Sequence, residues 1–197
     1  MQEEPIRLAV IVGSTRDGRF ATTVATWFSG EVGLHLKAEV DVIDLAEVPL
    51  PVVMQAAPVN TGVYESAEVR ALAARIEAAD AFVVITAEYN HSFPASLKLA
   101  VDSVHLEWRG KPVAFVSYGG LSGGLRAVEH LRQVFAELRA VTVRNTVSFH
   151  MMFEQFDEHG RPRQAAQVST ATATMLAELE WWARALRRAR RDSPFMW

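Results

Sequence analysis

The sequence predicts a three-layer α/β/α domain: a doubly wound, all-parallel sheet of five strands in the order 2-1-3-4-5, with helices on both faces. Three observations carry this expectation. Strand-like and helix-like patterns alternate from one end of the chain to the other. The central strand segments are apolar almost throughout, as in a sheet covered on both sides. Finally, three loops rich in glycine or polar residues follow the first, third and fourth strands, which that order places side by side. With 197 residues, and no repeat, linker or low-complexity segment, the whole span 1–197 reads as one domain.

The elements follow in order. Ile6 to Val12 (IRLAVIV) is a β-branched run between Pro5 and Gly13, and Ala21 to Val32 reads as a helix. Lys37 to Ile43 (KAEVDVI) alternates polar and apolar residues, which suits an edge strand with one wetter face. Asp44 to Ser66 is a long connection with Pro49, Pro51, Pro58 and Gly62, of the length usually kept for function or mobility. Glu68 to Ala79 is an amphipathic helix, and Ala81 to Thr86 (AFVVIT) is a strand buried on both faces. Ala95 to Leu106 is expected as a helix, Pro112 to Ser117 (PVAFVS) as a strand, and Gly123 to Leu138 as a helix. Val141 to Phe149 is the fifth strand and Gln164 to Arg191 a long closing helix. Right-handed crossovers leave 2-1-3-4-5 as the leading order, which is a flavodoxin-like sheet.

Composition excludes several classes. A net charge of −3 lacks the basic excess of a nucleic-acid binder. The absence of cysteine removes disulfides, thiolate nucleophiles and thiolate metal sites. Met-Gln-Glu-Glu-Pro has neither the basic nor the apolar stretch of a signal peptide, and no segment reaches the ~20 apolar residues of a membrane span. The expectation is a cytoplasmic protein with no membrane or nucleic-acid partner.

The first loop, Gly13-Ser14-Thr15-Arg16-Asp17-Gly18-Arg19-Phe20, leads into a helix N-terminus, where free N–H groups favour anions. Ser14 offers a hydroxyl, and Arg16 and Arg19 offer guanidinium donors, a set that suits a terminal phosphomonoester better than a bridging pyrophosphate. A plain turn with solvated arginines accounts for the loop equally well. The P-loop pattern fails here, because Arg19 and Phe20 replace its Lys and its hydroxyl, and G-x-G-x-x-G is absent. The second loop, Ala87-Glu88-Tyr89-Asn90-His91-Ser92-Phe93-Pro94, offers a flat ring face at Tyr89 and paired donor and acceptor groups at Asn90. In the third, Ser117-Tyr118-Gly119-Gly120-Leu121-Ser122-Gly123-Gly124, the glycines let backbone pass close beneath a planar ligand. Each loop alone has a bland reading as a turn or lid. Their shared rim argues for a phosphate-bearing ligand with a planar ring.

Three segments, GSTRDGR, EYNHSFPASLK and SYGGLSGGLRAVEHLR, resemble the NADPH-dependent FMN reductases, a family that includes chromate, quinone and azo-dye reductases. The resemblance runs from about Ile6 to Phe149. It implies that FMN is the cofactor, reduced by NADPH or NADH, with a small-molecule acceptor such as a quinone, free flavin, azo dye or metal oxyanion. It also implies a homodimer or homotetramer. Ser14, Arg16, Arg19, Phe20, Ala21 and Thr22 fall at the phosphate. Ala87, Glu88, Tyr89 and Asn90 border the ring, with Ser117, Gly119 and Gly120 opposite. The chain departs from the family at Ala87, where Pro is common, at Leu99, where Asn is, and at Arg19 and Ala21, where Ser and Asn are.

Two rival readings are retained. A flavin-binding electron carrier or redox sensor would keep the fold without nicotinamide turnover. A serine hydrolase would use Ser122, since Gly120 to Gly124 fits G-x-S-x-G, with His150 or His159 and Asp157 as partners. That reading leaves the GSTRDGR loop unexplained. His35, His105 and His130 lack metal-ligand spacing. Trp27, Trp181 and Trp182 read as core or interface, and Arg184, Arg187, Arg188, Arg190 and Arg191 as complements to a helix dipole. His150, Met151, Met152 and Phe153 read as an apolar segment that packs against a partner subunit.

Overall fold

A computed structural model of the protein describes residues 4–193; the ends of the 1–197 span, with the Met-Gln-Glu start, lie outside the described residues. Five strands, β1 (Ile6–Val12), β2 (Ala38–Asp44), β3 (Ala81–Ala87), β4 (Pro112–Tyr118) and β5 (Val141–Phe149), form one sheet in the order β2-β1-β3-β4-β5. Every pairing is parallel, so the fold is the flavodoxin-like one expected. Helices α1 (Ala21–His35) and α6 (Ala165–Asp192) cover one face. The other face carries α2 (Ala67–Ala78), α3 (Ala95–Ser103) and α4 (Leu125–Glu137).

The period of two along each strand divides the apolar residues between two cores. In β1, Ile6, Leu8, Val10 and Val12 face α1 and α6, while Ala9 and Ile11 face α2 and α3. β3 and β4 are buried at every position, whereas in β2 only Ile43 is. That contrast is the difference between central and edge strands in a two-faced sheet.

Two helices are shorter than expected. α3 ends at Ser103 because Val104 is extended and the chain turns into a short 3-10 segment, Leu106–Trp108. Trp108 draws it inward: its ring packs on Phe82 and Phe135 at 4.9 and 5.4 Å, and its Nε1 donates to the Val104 carbonyl. α4 starts at Leu125 rather than Gly123, since Gly123 and Gly124 are left-handed at φ +61° and +86°. The long connection after β2 is fixed by side chains. Gln55 donates to the Ala57 and Val63 carbonyls and accepts from Glu65 N–H. Tyr64 donates to Glu107, and burial together with that carboxylate pushes its phenol up to about 12.

The arginines near the end of α6 do more than complement a dipole. Asp80, just before β3, is 1% exposed and accepts from the Arg7 backbone N–H at 3.0 Å. Arg187 donates to the same carboxylate at 3.3 Å, and Arg190 pairs with it at 3.6 Å. A long-range charge clamp therefore holds α6 to the amino-terminal edge of the sheet. Beside it, buried Lys111 donates to the Ile76 and Glu77 carbonyls at the end of α2. Burial lowers its ammonium to about 8. Among the described residues, no helix is long and apolar enough to cross a membrane, and no group of three or more His, Cys, Asp or Glu residues is arranged for a metal ion.

Candidate functional site

Strands β1, β3 and β4 are neighbours, so their outgoing loops meet at the carboxyl edge of the sheet, where doubly wound folds bind ligands. They enclose a cleft of about 310 Å³, within the range of small-molecule sites. It is lined by Ser14 to Phe20 except Thr15, by Ala87 to Tyr89, by Tyr118 to Gly120, and by Met152 and Phe153.

Hydrogen bonds lock the three loops together. Gly13 N–H donates to the Ile85 carbonyl, and Ser96 Oγ donates to the Gly13 carbonyl, fixing the start of the first loop against β3 and α3. Buried Ser14 shares a 2.6 Å hydrogen bond with the Tyr89 hydroxyl, joining the first loop to the second. Glu88 joins the second to the third: it accepts from Ser122 Oγ at 2.5 Å and from Arg126 at 3.0 Å. The third loop doubles back because Gly123 and Gly124 adopt positive φ, and a side chain at Gly124 would meet Ser117 Cβ at 2.7 Å. Ser117 and Ser148 both donate to the Gly123 carbonyl.

The two ends of the cleft differ in chemistry. One end is cationic. Helix α1 starts there without a side-chain cap or an acidic residue in its first turn, leaving its N-terminal partial charge for a ligand. Arg16 is exposed, and its guanidinium has no partner among the described residues. Arg19 is paired at 2.5 Å with Asp44, at the end of β2. The other end lies between Tyr89, Tyr118 and the Gly119-Gly120 backbone, and its one carboxylate, Glu88, is taken up by Arg126 and Ser122. Burial raises the Tyr118 phenol above its ordinary range, so it stays a protonated donor. A ligand with a phosphate tail and a flat uncharged ring fits this donor set.

Of the residues singled out from sequence, Ser14, Arg16, Arg19, Phe20, Ala87, Glu88, Tyr89, Gly119 and Gly120 line the cleft together. Ala21 is buried and Thr22 exposed at the uncapped start of α1, and neither side chain lines the cleft. Asn90 is exposed at φ +49° in the tight Tyr89–Ser92 turn, and the Ser117 hydroxyl is spent on the Gly123 carbonyl. The sequence gives no site signal for Asp44 or Tyr118, and Met152 and Phe153, expected at a subunit contact, line the cleft. The last two arrive because Met151 and Met152 N–H donate to the Gly120 and Gly119 carbonyls, with Met151 left-handed at φ +46°. Phe153 then stands 77% exposed at the mouth, edge-on to Phe20 at 5.8 Å. The hydrolase arrangement does not form: Ser122 gives its hydroxyl to Glu88, His150 lies against the Leu121 carbonyl, and Asp157 accepts from Arg161.

Known proteins agree with this geometry. Residues 6–154 match the family described as NADPH-dependent FMN reductase. An NAD(P)H-dependent FMN reductase of Schizosaccharomyces pombe is 39% identical over 123 residues, a stretch covering 60% of each chain. The match thus spans less than two thirds of that relative's length. A quinone reductase of Escherichia coli K12 is 34% identical, with 71% of this chain and 74% of that one aligned. Among solved structures, a flavoenzyme NAD(P)H:(acceptor) oxidoreductase from Paracoccus denitrificans superposes with a TM-score of 0.70 at 21% identity, covering 91% of this chain and 98% of its own. With a family match across three quarters of its length, this chain belongs to the NADPH-dependent FMN reductases.

Proposed function

We propose that this chain is a single-domain, cytoplasmic oxidoreductase that passes electrons from NADPH or NADH to a quinone, free flavin or similar small acceptor by way of FMN held in the three-loop cleft. The observation that carries the reading is the division of that cleft, with guanidinium and helix N–H donors at the α1 end and tyrosine rings beside glycine backbone at the other. Bound FMN would supply the redox chemistry between nicotinamide and acceptor.

The protein's part is binding and orientation. Ser14, Arg16, Arg19, Phe20 and the backbone N–H groups of Ala21 and Thr22 hold the phosphate. Ala87, Glu88, Tyr89 and Asn90 border one edge of the ring, and Gly119 and Gly120, carried by the Ser117 hydrogen bond, border the other. Glu88 acts indirectly, fixing the Ser122 side of the third loop. The E. coli relative's name supports a quinone as acceptor, and the S. pombe relative's supports a flavin. Exposed Leu121, Leu125, Met151 and Phe153 lie around the cleft mouth and support a homodimer or homotetramer with a partner subunit near each site.

Oxidation of NADPH by the purified, FMN-loaded protein with excess benzoquinone tests this. Sustained turnover over many equivalents is expected. Oxidation no faster than in a protein-free control points instead to an electron carrier without nicotinamide turnover.

A further inference from the structure

The Arg19–Asp44 pair links the cleft wall to the end of β2. Arg19 belongs to the cleft wall; Asp44 does not. Their side chains are 19% and 16% exposed, so the pair sits in a poorly solvated layer just behind the wall. Asp44 is itself held, because its second carboxylate oxygen accepts from Ala46 N–H at 3.0 Å. The chain of contacts therefore runs from the turn after β2, through the Asp44 carboxylate, to the Arg19 guanidinium and the cleft. Within that guanidinium only one Nη donates to Asp44, and Nε is buried with no acceptor. An unmet buried N–H is costly unless something supplies an acceptor. Neighbouring Arg16 is exposed and has no such support.

We propose that Asp44 is a positioning residue for phosphate recognition: it fixes Arg19 so that the guanidinium N–H groups it leaves free meet a phosphomonoester at the α1 end of the cleft. This rests on the assignment of that end to the phosphate. Asp44 touches no ligand. It replaces the rotamer freedom of a long side chain with one orientation, so that less order is lost when the anion arrives. Its negative charge opposes the anion at the same time, and the two effects carry opposite signs. Removing the carboxylate altogether loosens phosphate binding if positioning dominates and tightens it if charge dominates.

The test compares FMN with riboflavin, which is FMN without the phosphate, by quenching of flavin fluorescence. The wild-type protein, Arg19→Gln, Asp44→Ala and Asp44→Asn are each titrated with both, and the ratio of the two dissociation constants is the readout. The wild type favours FMN strongly. Arg19→Gln and Asp44→Ala each reduce that preference by roughly 10-fold or more through weaker FMN binding, with riboflavin unchanged. Asp44→Asn stays within about 3-fold of wild type, because its amide oxygen still accepts from Arg19. An unchanged or increased preference in Asp44→Ala overturns the proposal, as does an equal loss of both ligands, which would make Asp44 only a tie between β1 and β2. If the wild type does not distinguish FMN from riboflavin, the phosphate assignment itself falls. If it does, and only the Asp44 variants fail to respond as stated, the assignment stands and the positioning role is wrong.

Discussion

The two edges of the sheet use the same chemistry to opposite ends. At the amino-terminal edge, Asp80 is closed in by Arg187, Arg190 and the Arg7 N–H, and Lys111 is consumed by the last carbonyls of α2. The buried charges of Asp80 and Lys111 are both answered inside the protein. At the carboxyl edge the α1 N-terminus has no side-chain cap, and the Arg16 guanidinium has no partner among the described residues. One edge is finished by folding and the other by a ligand. A change at the first should cost stability; a change at the second should cost binding.

The largest effect belongs to the finished edge. Asp80→Ala removes the acceptor shared by the Arg7 N–H, Arg187 and Arg190, leaving the two guanidinium groups only backbone carbonyls, and unfolding by urea should show a loss of about 3 kcal/mol. FMN affinity of the folded variant should be untouched. If FMN binding falls while stability holds, the division between the edges is wrong.

Next comes Gly124→Ala, which forces a side chain into a left-handed position against Ser117 Cβ. About 2–3 kcal/mol of stability should go, and FMN affinity with it, because the third loop is both fold and site. This variant sharpens the comparison by marking where the edges cease to be separable.

Lys111 gives a pH signature of the finished edge. Its ammonium titrates near 8 in the folded protein against 10.5 when solvated. Between those values the unfolded chain binds more protons than the folded one, so stability rises with pH. The rise should be about 2 kcal/mol between roughly pH 8 and 10, and should vanish in Lys111→Met. Urea midpoints across that range check it, and a flat wild-type profile refutes it.

Tyr89→Phe is the smallest change. It removes one of the two tyrosine hydroxyl partners of buried Ser14 and should cost about 1 kcal/mol by thermal unfolding.

The sequence made the strands and the three loops legible because their signals are local. Apolar periodicity places β1, β3 and β4, and parallel order then brings Ser14, Tyr89 and Gly119 to one rim. Pairings across long separations were not legible. Nothing near Arg187 in sequence points to Asp80, 107 residues away, and nothing in the β1 loop announces Asp44. The arrival of Met152 and Phe153 at the cleft depends on two backbone hydrogen bonds to the third loop and on a left-handed Met151, which carries no glycine to betray it. Trp108 ended α3 early through a packing demand that helix periodicity does not carry.

The central claim is that FMN occupies the three-loop cleft, and Gly120 offers the most direct access to it. Gly120 lines the cleft, and a Cβ there meets nothing within 4 Å, so a large side chain fills open space without disturbing the core. The decisive measurement is an FMN titration of wild type and Gly120→Phe, followed by the flavin absorbance spectrum. One FMN should bind per wild-type chain, and the variant should bind at least about 100-fold more weakly at an unchanged melting temperature. Wild-type protein that takes up no FMN, or a variant that binds it equally well, would contradict the account.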